Sequence, residues 1–224
     1  MRSLHSLAVS TDPVTFDTED GHRIEGRLRV PEDPQGAAIL CHPHPLYSGT
    51  MSSAIIPALQ RALAARNWAS LRFNFRGVGR SEGTFGRGIG EVKDAEAALA
   101  LLAERVPGAP LAIAGWSFGA LVGLTAAVAD PRIGAYAGIA PPVTVRHNTA
   151  LPPLPPPERL AGFEAAVLAL CGTEDEFCRE DDLRPWAEQV SARAVVRIYP
   201  GEDHFFSTDK HAMAADVAAF IVEA

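Results

Sequence analysis

Nearly continuous apolar strands alternate with helix-like segments along most of the chain, and this alternation is what most constrains the fold. Strand-like runs include "AAILCH" (37–42), "PLAIAGW" (110–116) and "AAVLALC" (165–171), with helical patterns between them. Strands without polar alternation are typical of a parallel sheet that is covered on both faces. Repeated strand–helix units independently indicate the same arrangement. We therefore predict an α/β fold with a mostly parallel sheet and helices on both faces.

The remaining elements follow from the same patterns. On either side of "EDG", two segments in which apolar and polar residues alternate predict an antiparallel hairpin over 14–31, at one edge of the sheet. Further strands are predicted at 68–75, 133–140 and 194–200, and helices at 51–67 (with a kink at Pro57), 90–106, 117–129, 182–191 and 210–224. A chain of 224 residues, 47% of them hydrophobic, fits one domain spanning 1–224.

Charge and the N-terminal sequence exclude several classes of function. The formal net charge of −7 disfavours binding to nucleic acids or to anionic membranes, both of which need clustered Lys and Arg. The first residues lack an apolar core that is long enough for a signal peptide. We therefore expect a soluble, cytoplasmic protein with no nucleic-acid or membrane partner. A homodimer through an exposed sheet edge is an assembly that the sequence leaves open.

The segment Gly115–Trp116–Ser117–Phe118–Gly119 matches the G-x-S-x-G pattern and is the strongest chemical signal in the chain. An apolar strand precedes it and a helix of small residues follows it. A serine on such a sharp strand-to-helix turn projects its hydroxyl above the sheet, and glycines on either side allow the strand and helix to approach closely. Ser117 is therefore predicted to be a catalytic nucleophile; the alternative is a purely structural turn.

An activated serine needs a base and an acid that orients the base. His204 follows the strand at 194–200, at the same sheet edge as Ser117, and is the predicted base; His211 is the alternative. Asp175 follows the strand at 165–171 and is the predicted acid. Its neighbours Glu174 and Glu176 remain competitors, since local spacing does not exclude them.

Two backbone N–H groups are predicted to stabilise the oxyanion that forms when Ser117 attacks a carbonyl. One belongs to Phe118, the residue after the nucleophile. The other comes from "HPHPLYSGT", where Pro43 and Pro45 have no N–H; His44 is the favoured donor, and Leu46 or a later residue is the alternative. A metal site using His42 and His44 is the competing interpretation, but no further ligand motif supports it. We therefore predict no metal, and we expect the His42 ring to hold the loop in place.

Aromatic and apolar residues near these positions predict the substrate pocket: Leu46, Tyr47, Trp116 and Phe205. Ordinary core packing is the alternative interpretation for each. The proline-rich segment 141–160 leaves the sheet after a predicted strand, at the edge where open α/β sheets bind ligands. We predict that it forms a short, extended cap over the site; a surface loop or a partner-binding segment is the alternative.

With these residues in place, the chain resembles the α/β-hydrolase superfamily, and within it small, nearly lidless bacterial hydrolases related to dienelactone hydrolases and carboxylesterases. The resemblance is carried by "HPHPLYSGTM", "FNFRGVGRSEG", "GWSFGA", "GTEDEF" and "GEDHFF". It implies an eight-stranded sheet, a triad of Ser117, Asp175 and His204, and no cofactor. It also implies that Arg76 and the glycines at 77, 79 and 83 form a structural turn.

One departure limits what the resemblance transfers. Dienelactone hydrolases use a cysteine nucleophile, whereas this chain has Ser117, so their substrate is not carried over. The expected reaction is hydrolysis of small ester substrates through an acyl-enzyme, as in carboxylesterases. A thioesterase or serine peptidase could use the same triad, and a non-catalytic binding protein could use the same fold. Pocket shape decides among these substrates, and sequence does not give it.

Overall fold

The computed structural model describes residues 11–145 and 151–224. One sheet of eight strands forms its centre, in the order β1-β2-β4-β3-β5-β6-β7-β8. β1 pairs antiparallel with β2 and β2 with β4, and every other neighbouring pair is parallel. The strands are β1 (Asp12–Asp17), β2 (Arg23–Arg29), β3 (Ala37–Cys41), β4 (Ala69–Phe73), β5 (Leu111–Trp116), β6 (Ile133–Ile139), β7 (Ala166–Gly172) and β8 (Val195–Tyr199). The predicted fold class and the N-terminal hairpin are confirmed.

Helices cover both faces of this sheet. They are α1 (Ile55–Ala64), α2 (Ile89–Arg105), α3 (Phe118–Ala129), α4 (Pro157–Ala161), α5 (Glu180–Val190) and α6 (Lys210–Glu223). α1 packs against α6, α2 packs against α3, and α5 packs against β7 and β8. The central strands β3 and β5 are buried along their whole length, as their unbroken apolar sequences predict. Among the helices of the described residues, none is both long and apolar enough to cross a bilayer.

The structure corrects two details of the sequence analysis. Pro57 does not kink a helix, because α1 begins only at Ile55 and the proline lies in its first turn, where the missing N–H has no intrahelical acceptor. The proline-rich segment is not extended throughout, because it ends in the short helix α4, with Pro157 at the first helical position. The residues 146–150 of this segment lie outside the described part of the chain.

The parallel strands bring four loops to one edge of the sheet. Because β3, β5, β7 and β8 run in the same direction, the loops that follow Cys41, Trp116, Gly172 and Tyr199 all leave at their carboxyl ends. These loops carry every residue that the sequence predicts for catalysis. The fold therefore assembles the candidate site from segments that are up to about 160 residues apart in sequence (204 − 44).

Candidate active site

Ser117 lies on a sharp turn between β5 and α3. Its backbone has φ 57° and ψ −122°, a conformation that L-residues rarely adopt, and its N–H donates to the Ile139 carbonyl at 2.8 Å. The flanking glycines make this turn sterically feasible. A Cβ at Gly115 would lie 2.2 Å from the Gly119 carbonyl oxygen, and a Cβ at Gly119 would lie 2.3 Å from the Cys41 carbonyl oxygen. Close approach of the backbone therefore accounts for both glycines.

The structure brings Ser117, His204 and Asp175 together in one chain of hydrogen bonds. Ser117 Oγ lies 3.0 Å from His204 Nε2, and His204 Nδ1 lies 2.9 and 3.0 Å from the two oxygens of Asp175. All three side chains are buried. A carboxylate facing Nδ1 favours the tautomer with the proton on Nδ1, which leaves Nε2 free to accept the serine proton. This arrangement can convert the hydroxyl into a nucleophile.

Asp175, rather than either neighbouring glutamate, faces the His204 ring. Its Oδ1 also accepts the backbone N–H groups of Phe177 and Cys178, at 2.8 and 3.0 Å, which fix the direction of the carboxylate. Glu174 and Glu176 are exposed. The loop thus turns one of three adjacent acidic side chains inward and leaves the other two in solvent.

Carboxylates also fasten the loop that carries His204. Glu202 is buried and accepts the N–H groups of Thr208 and Asp209, at 3.0 and 2.7 Å. Asp203 accepts the N–H groups of Phe205 and Ser207, at 2.9 and 3.1 Å. These bonds satisfy backbone donors inside the loop and restrict its conformations.

The same loop is tied to the loop that carries Asp175. The Glu174 N–H donates to the Glu202 carbonyl at 2.9 Å, and a Cβ at Gly172 would lie 1.9 Å from that carbonyl oxygen. The loops that carry His204 and Asp175 therefore meet backbone to backbone.

The two residues predicted to supply the oxyanion donors line the same cavity as Ser117. Phe118 is the first residue of α3, so its N–H has no acceptor within the helix. His44 lines the same cavity as Ser117, and its ring packs on the Phe118 ring with centroids 4.8 Å apart. The His44 carbonyl accepts the N–H groups of Tyr47 and Gly49 at 3.0 and 3.1 Å, which holds this loop in a tight turn.

A cavity of about 640 Å³ opens above Ser117. Of the four predicted pocket residues, Tyr47, Trp116 and Phe205 line it. Leu46 does not: it lies in the middle of a short 3₁₀ turn, and its side chain, like that of Tyr47, is mostly exposed. Apolar lining residues that sequence reasoning did not name individually include Val145 and Leu151, both in the predicted cap segment, and Phe177. Phe177 had a usable signal, since it stands two residues after Asp175; its ring packs on His204 with centroids 4.8 Å apart.

With this geometry established, comparison with known proteins identifies the family. A family model named Hydrolase_4 and described as "Serine aminopeptidase, S33" matches residues 33–163. The chain belongs to the Hydrolase_4 family. The match covers Ser117 and ends before Asp175 and His204, so the arrangement of those two residues rests on the structure.

Relatives of this Hydrolase_4 chain span nearly its whole length. An uncharacterized protein of Rickettsia prowazekii is 36% identical over 203 aligned positions, and the match covers 86% of this chain and 81% of that protein. A serine hydrolase without a lid from Xanthomonas campestris has a similar structure, with 28% identity, a TM-score of 0.80, and coverage of 96% of this chain and 94% of that one. An esterase of Pyrococcus furiosus shares the fold at 16% identity, with a TM-score of 0.79 and coverage of 96% and 93%.

His42 has a structural position in this Hydrolase_4 chain. Its Nε2 accepts the Phe75 N–H at 3.0 Å, and its Nδ1–H donates to the Pro43 carbonyl at 2.6 Å. Burial lowers the pKa of the ring to about 3, so the ring is neutral at physiological pH. Both nitrogens are thus occupied by the backbone, as expected for a residue that holds its loop in place. Within 11–145 and 151–224, His, Cys, Asp and Glu side chains form no cluster suited to a metal.

A buried ion pair supports the segment next to His42. Arg76 donates to the Asp94 carboxylate from its backbone N–H at 2.8 Å and from Nε at 3.0 Å, and its guanidinium also contacts Asp20 at 2.9 and 3.1 Å. Hydrogen bonds from Arg76 hold the pKa of Asp20 well below its usual range. The turn that follows contains Gly77, Gly79 and Gly83, all with positive φ. Phe75 directly precedes this turn, and its N–H donates to the ring of His42, which lies in the same loop as His44. The turn therefore supports the loop that contains His44.

Proposed function

We propose that this protein hydrolyses carboxylic esters through an acyl-enzyme formed on Ser117. The observation that carries the proposal is the continuous chain of hydrogen bonds from Ser117 Oγ through the His204 ring to the Asp175 carboxylate. Membership of a serine hydrolase family supports the general chemistry. The fold neighbour from Pyrococcus furiosus is an esterase, which agrees with the proposed substrate class.

In the proposed reaction, His204 Nε2 takes the Ser117 proton as Oγ forms a bond to the ester carbonyl carbon. Asp175 stabilises the protonated ring, and the N–H groups of Phe118 and His44 stabilise the oxyanion. The tetrahedral intermediate collapses, His204 returns the proton to the leaving alcohol, and the acyl group stays on Ser117. Water then attacks the acyl-enzyme with His204 as base, which releases the acid and restores the serine.

The composition of the cavity favours uncharged substrates. An aminopeptidase has to hold the ammonium group of its substrate, for which a carboxylate is the natural partner. None of the described residues that line the cavity is Asp or Glu. The segments 1–10 and 146–150 contain no acidic residue either. Most of the lining is apolar or aromatic, and no described lining residue is Lys or Arg to hold an anionic group. A small, neutral ester fits this surface best.

We also propose that the chain forms one domain and that segment 141–160 caps the cavity. Pro142, Val145 and Leu151 line the cavity, so residues on both sides of 146–150 face the substrate space. Thr144 anchors the start of the segment to the loop of the acid, because its N–H donates to the Phe177 carbonyl at 3.1 Å. A short segment fixed in this way leaves room for small substrates and lacks the size of a separate lid domain.

Intact-mass analysis after treatment with a fluorophosphonate tests the nucleophile. We expect one adduct on the natural protein and none on Ser117→Ala, with both proteins equally folded by circular dichroism. No adduct on well-folded natural protein would remove the hydrolase mechanism and favour a ligand-binding protein that retains only the fold.

A matched set of acyl groups then tests the substrate class. The set is the 4-nitrophenyl esters of 4-methylpentanoate, of N-acetyl-leucine and of leucine, which share a branched chain and differ at the α-carbon. We expect the neutral esters to react with a kcat/KM at least tenfold above that of the ammonium-bearing leucine ester. Preference for free leucine derivatives would favour a peptidase. Preference for the coenzyme A thioester of 4-methylpentanoate over its oxygen ester would favour a thioesterase.

A further inference from the structure

The indole of Trp116 links the strand that carries the nucleophile to the loop that carries the base. Its Nε1–H donates to the backbone carbonyl of His204 at 3.0 Å, although the two residues are 88 positions apart in sequence. Trp116 is 4% exposed and His204 is 8% exposed, so water competes little for this bond. Trp116 is also the residue directly before Ser117, so the donor and the nucleophile share one rigid strand end.

The other anchors of the His204 loop do not reach the nucleophile. Glu202 and Asp203 fasten the loop to itself, and the contact of Glu202 with Glu174 fastens it to the loop of the acid. Within the described residues, the Trp116 indole provides the hydrogen bond that joins the backbone of this loop to β5. The distance from Ser117 Oγ to His204 Nε2 therefore depends on where Trp116 holds the His204 backbone.

We propose that Trp116 is a positioning residue that sets the distance between the base and the nucleophile. This inference rests on the proposed hydrolase function, because it assigns Trp116 to the formation of the acyl-enzyme. The N–H acts on His204, which acts on Ser117, so Trp116 contributes no reacting atom of its own. A displacement of about 1 Å between reacting groups can lower a rate by about 100-fold.

Trp116 also forms part of the cavity wall, and its ring packs edge-on to Phe205 with centroids 5.8 Å apart. A truncating substitution would therefore remove the wall and the donor together. Site-specific replacement of Trp116 by 3-benzothienylalanine separates the two, because sulfur takes the place of the N–H while ring size and shape are kept. Trp116→Phe serves as the simpler genetic variant, with a smaller ring and no donor.

The test compares kcat, KM and the rate constant of fluorophosphonate inactivation. For the benzothienyl variant we expect kcat and the inactivation rate constant to fall about 10-fold to 100-fold, with KM within about threefold of the natural protein. Wild-type kcat and inactivation rate would overturn the proposal. A raised KM with unchanged kcat would also overturn it, because Trp116 would then act only as part of the cavity wall that binds the substrate.

A second measurement does not depend on turnover. A proton shared between His204 Nδ1 and Asp175 should give a far-downfield NMR signal, and a poorly held ring would exchange this proton faster with water. We expect the signal in the natural protein and a broadened or lost signal in the benzothienyl variant. An unchanged signal would overturn the positioning role even if the protein proved to have no hydrolase activity, so failure of the two proposals can be told apart.

Trp68→Phe is the matched control for the loss of a buried indole. Trp68 is 4% exposed and packs against Gly36. It directly precedes β4 and therefore lies at the amino ends of the parallel strands, opposite the carboxyl ends that carry the site. We expect its substitution to lower Tm to a similar degree as Trp116→Phe, while kcat and the NMR signal stay as in the natural protein. Equal loss of kcat in both variants would show that general loosening of the core, and not Trp116, controls the rate.

Discussion

Two buried histidines at the same edge of the sheet, His42 and His204, differ in the groups that their ring nitrogens meet. Both rings have each nitrogen within hydrogen-bond distance of a partner, and both follow a parallel strand. The partners of His42 are a backbone N–H and a backbone carbonyl. The partners of His204 are a hydroxyl and a carboxylate.

This difference separates a histidine that holds a loop from one that can move a proton. Backbone amides neither give up nor accept protons at ordinary pH, so the His42 ring is locked in one neutral tautomer, and burial lowers its pKa to about 3. The Ser117 hydroxyl can transfer its proton to His204, and the Asp175 carboxylate can stabilise the resulting positive ring. Burial and complete hydrogen bonding alone therefore do not mark a catalytic histidine; the chemistry of its partners does.

The same substitution in both histidines tests this difference most directly. We expect His204→Gln to lower kcat/KM for a neutral ester by about 10⁶-fold, because no group remains to take the Ser117 proton. We expect His42→Gln to keep kcat/KM within about tenfold, because the amide oxygen can still accept the Phe75 N–H. Steady-state kinetics on the two purified proteins measure both effects. Comparable losses in the two variants would contradict the distinction between them.

Asp175, the proposed partner of His204, gives the next largest effect. Asp175→Asn keeps the shape of the side chain but removes the charge that stabilises the protonated ring, so we expect kcat to fall by about 10⁴-fold. Glu174→Gln and Glu176→Gln are the matched controls, since both side chains are exposed in the same loop. We expect each to keep kcat within about twofold. Loss of activity in either control would transfer the role of the acid to that residue.

Gly119→Ala tests the steric basis of the serine turn. A methyl group at Gly119 would lie 2.3 Å from the Cys41 carbonyl oxygen and 2.4 Å from that of His42, so the helix and the His42 loop would have to separate. We expect the free energy of unfolding to fall by about 3 kcal/mol, measured by denaturant titration. Gly134→Ala is the control, because its nearest neighbour would be 3.9 Å away, and it should be nearly neutral. Equal effects would show that close packing at Gly119 is not what requires a glycine.

Much of this site could be predicted from sequence because parallel strands deliver their loops to one edge. The positions of Ser117, Asp175 and His204 each follow an apolar strand, so the pattern that predicts the sheet also predicts which residues meet. The sequence favours Asp175 without excluding Glu174 and Glu176, because which side chain turns inward depends on the N–H groups of Phe177 and Cys178.

Other features of the site left no local signal in the sequence. Leu46 and Tyr47 are adjacent in one 3₁₀ turn and both apolar enough for a pocket, yet of the two only Tyr47 lines the cavity. The bond from Trp116 to the His204 carbonyl joins residues that are distant in sequence, and no local pattern encodes such a contact. Pairwise geometry between distant loops is what sequence reasoning could not supply here.

The smallest predicted effect concerns the dependence of stability on pH. The pKa of His42 is about 3 in the folded protein and about 6.5 in an unfolded chain. Below pH 6.5 the His42 ring is therefore protonated in the unfolded state but stays unprotonated in the folded state. The free energy of unfolding consequently falls as the pH falls toward 3. Between pH 7 and pH 5 this one group should lower the free energy of unfolding by about 2 kcal/mol.

The His42→Gln variant lacks this titrating group, so its free energy of unfolding should decrease by about 2 kcal/mol less over the same pH range. All other titrating groups affect both proteins equally. Urea titrations at pH 7, 6 and 5 give the two slopes. Parallel slopes would mean that the His42 ring takes up its proton in the folded protein as easily as in the unfolded chain, and the contrast with His204 would then no longer rest on a locked neutral ring.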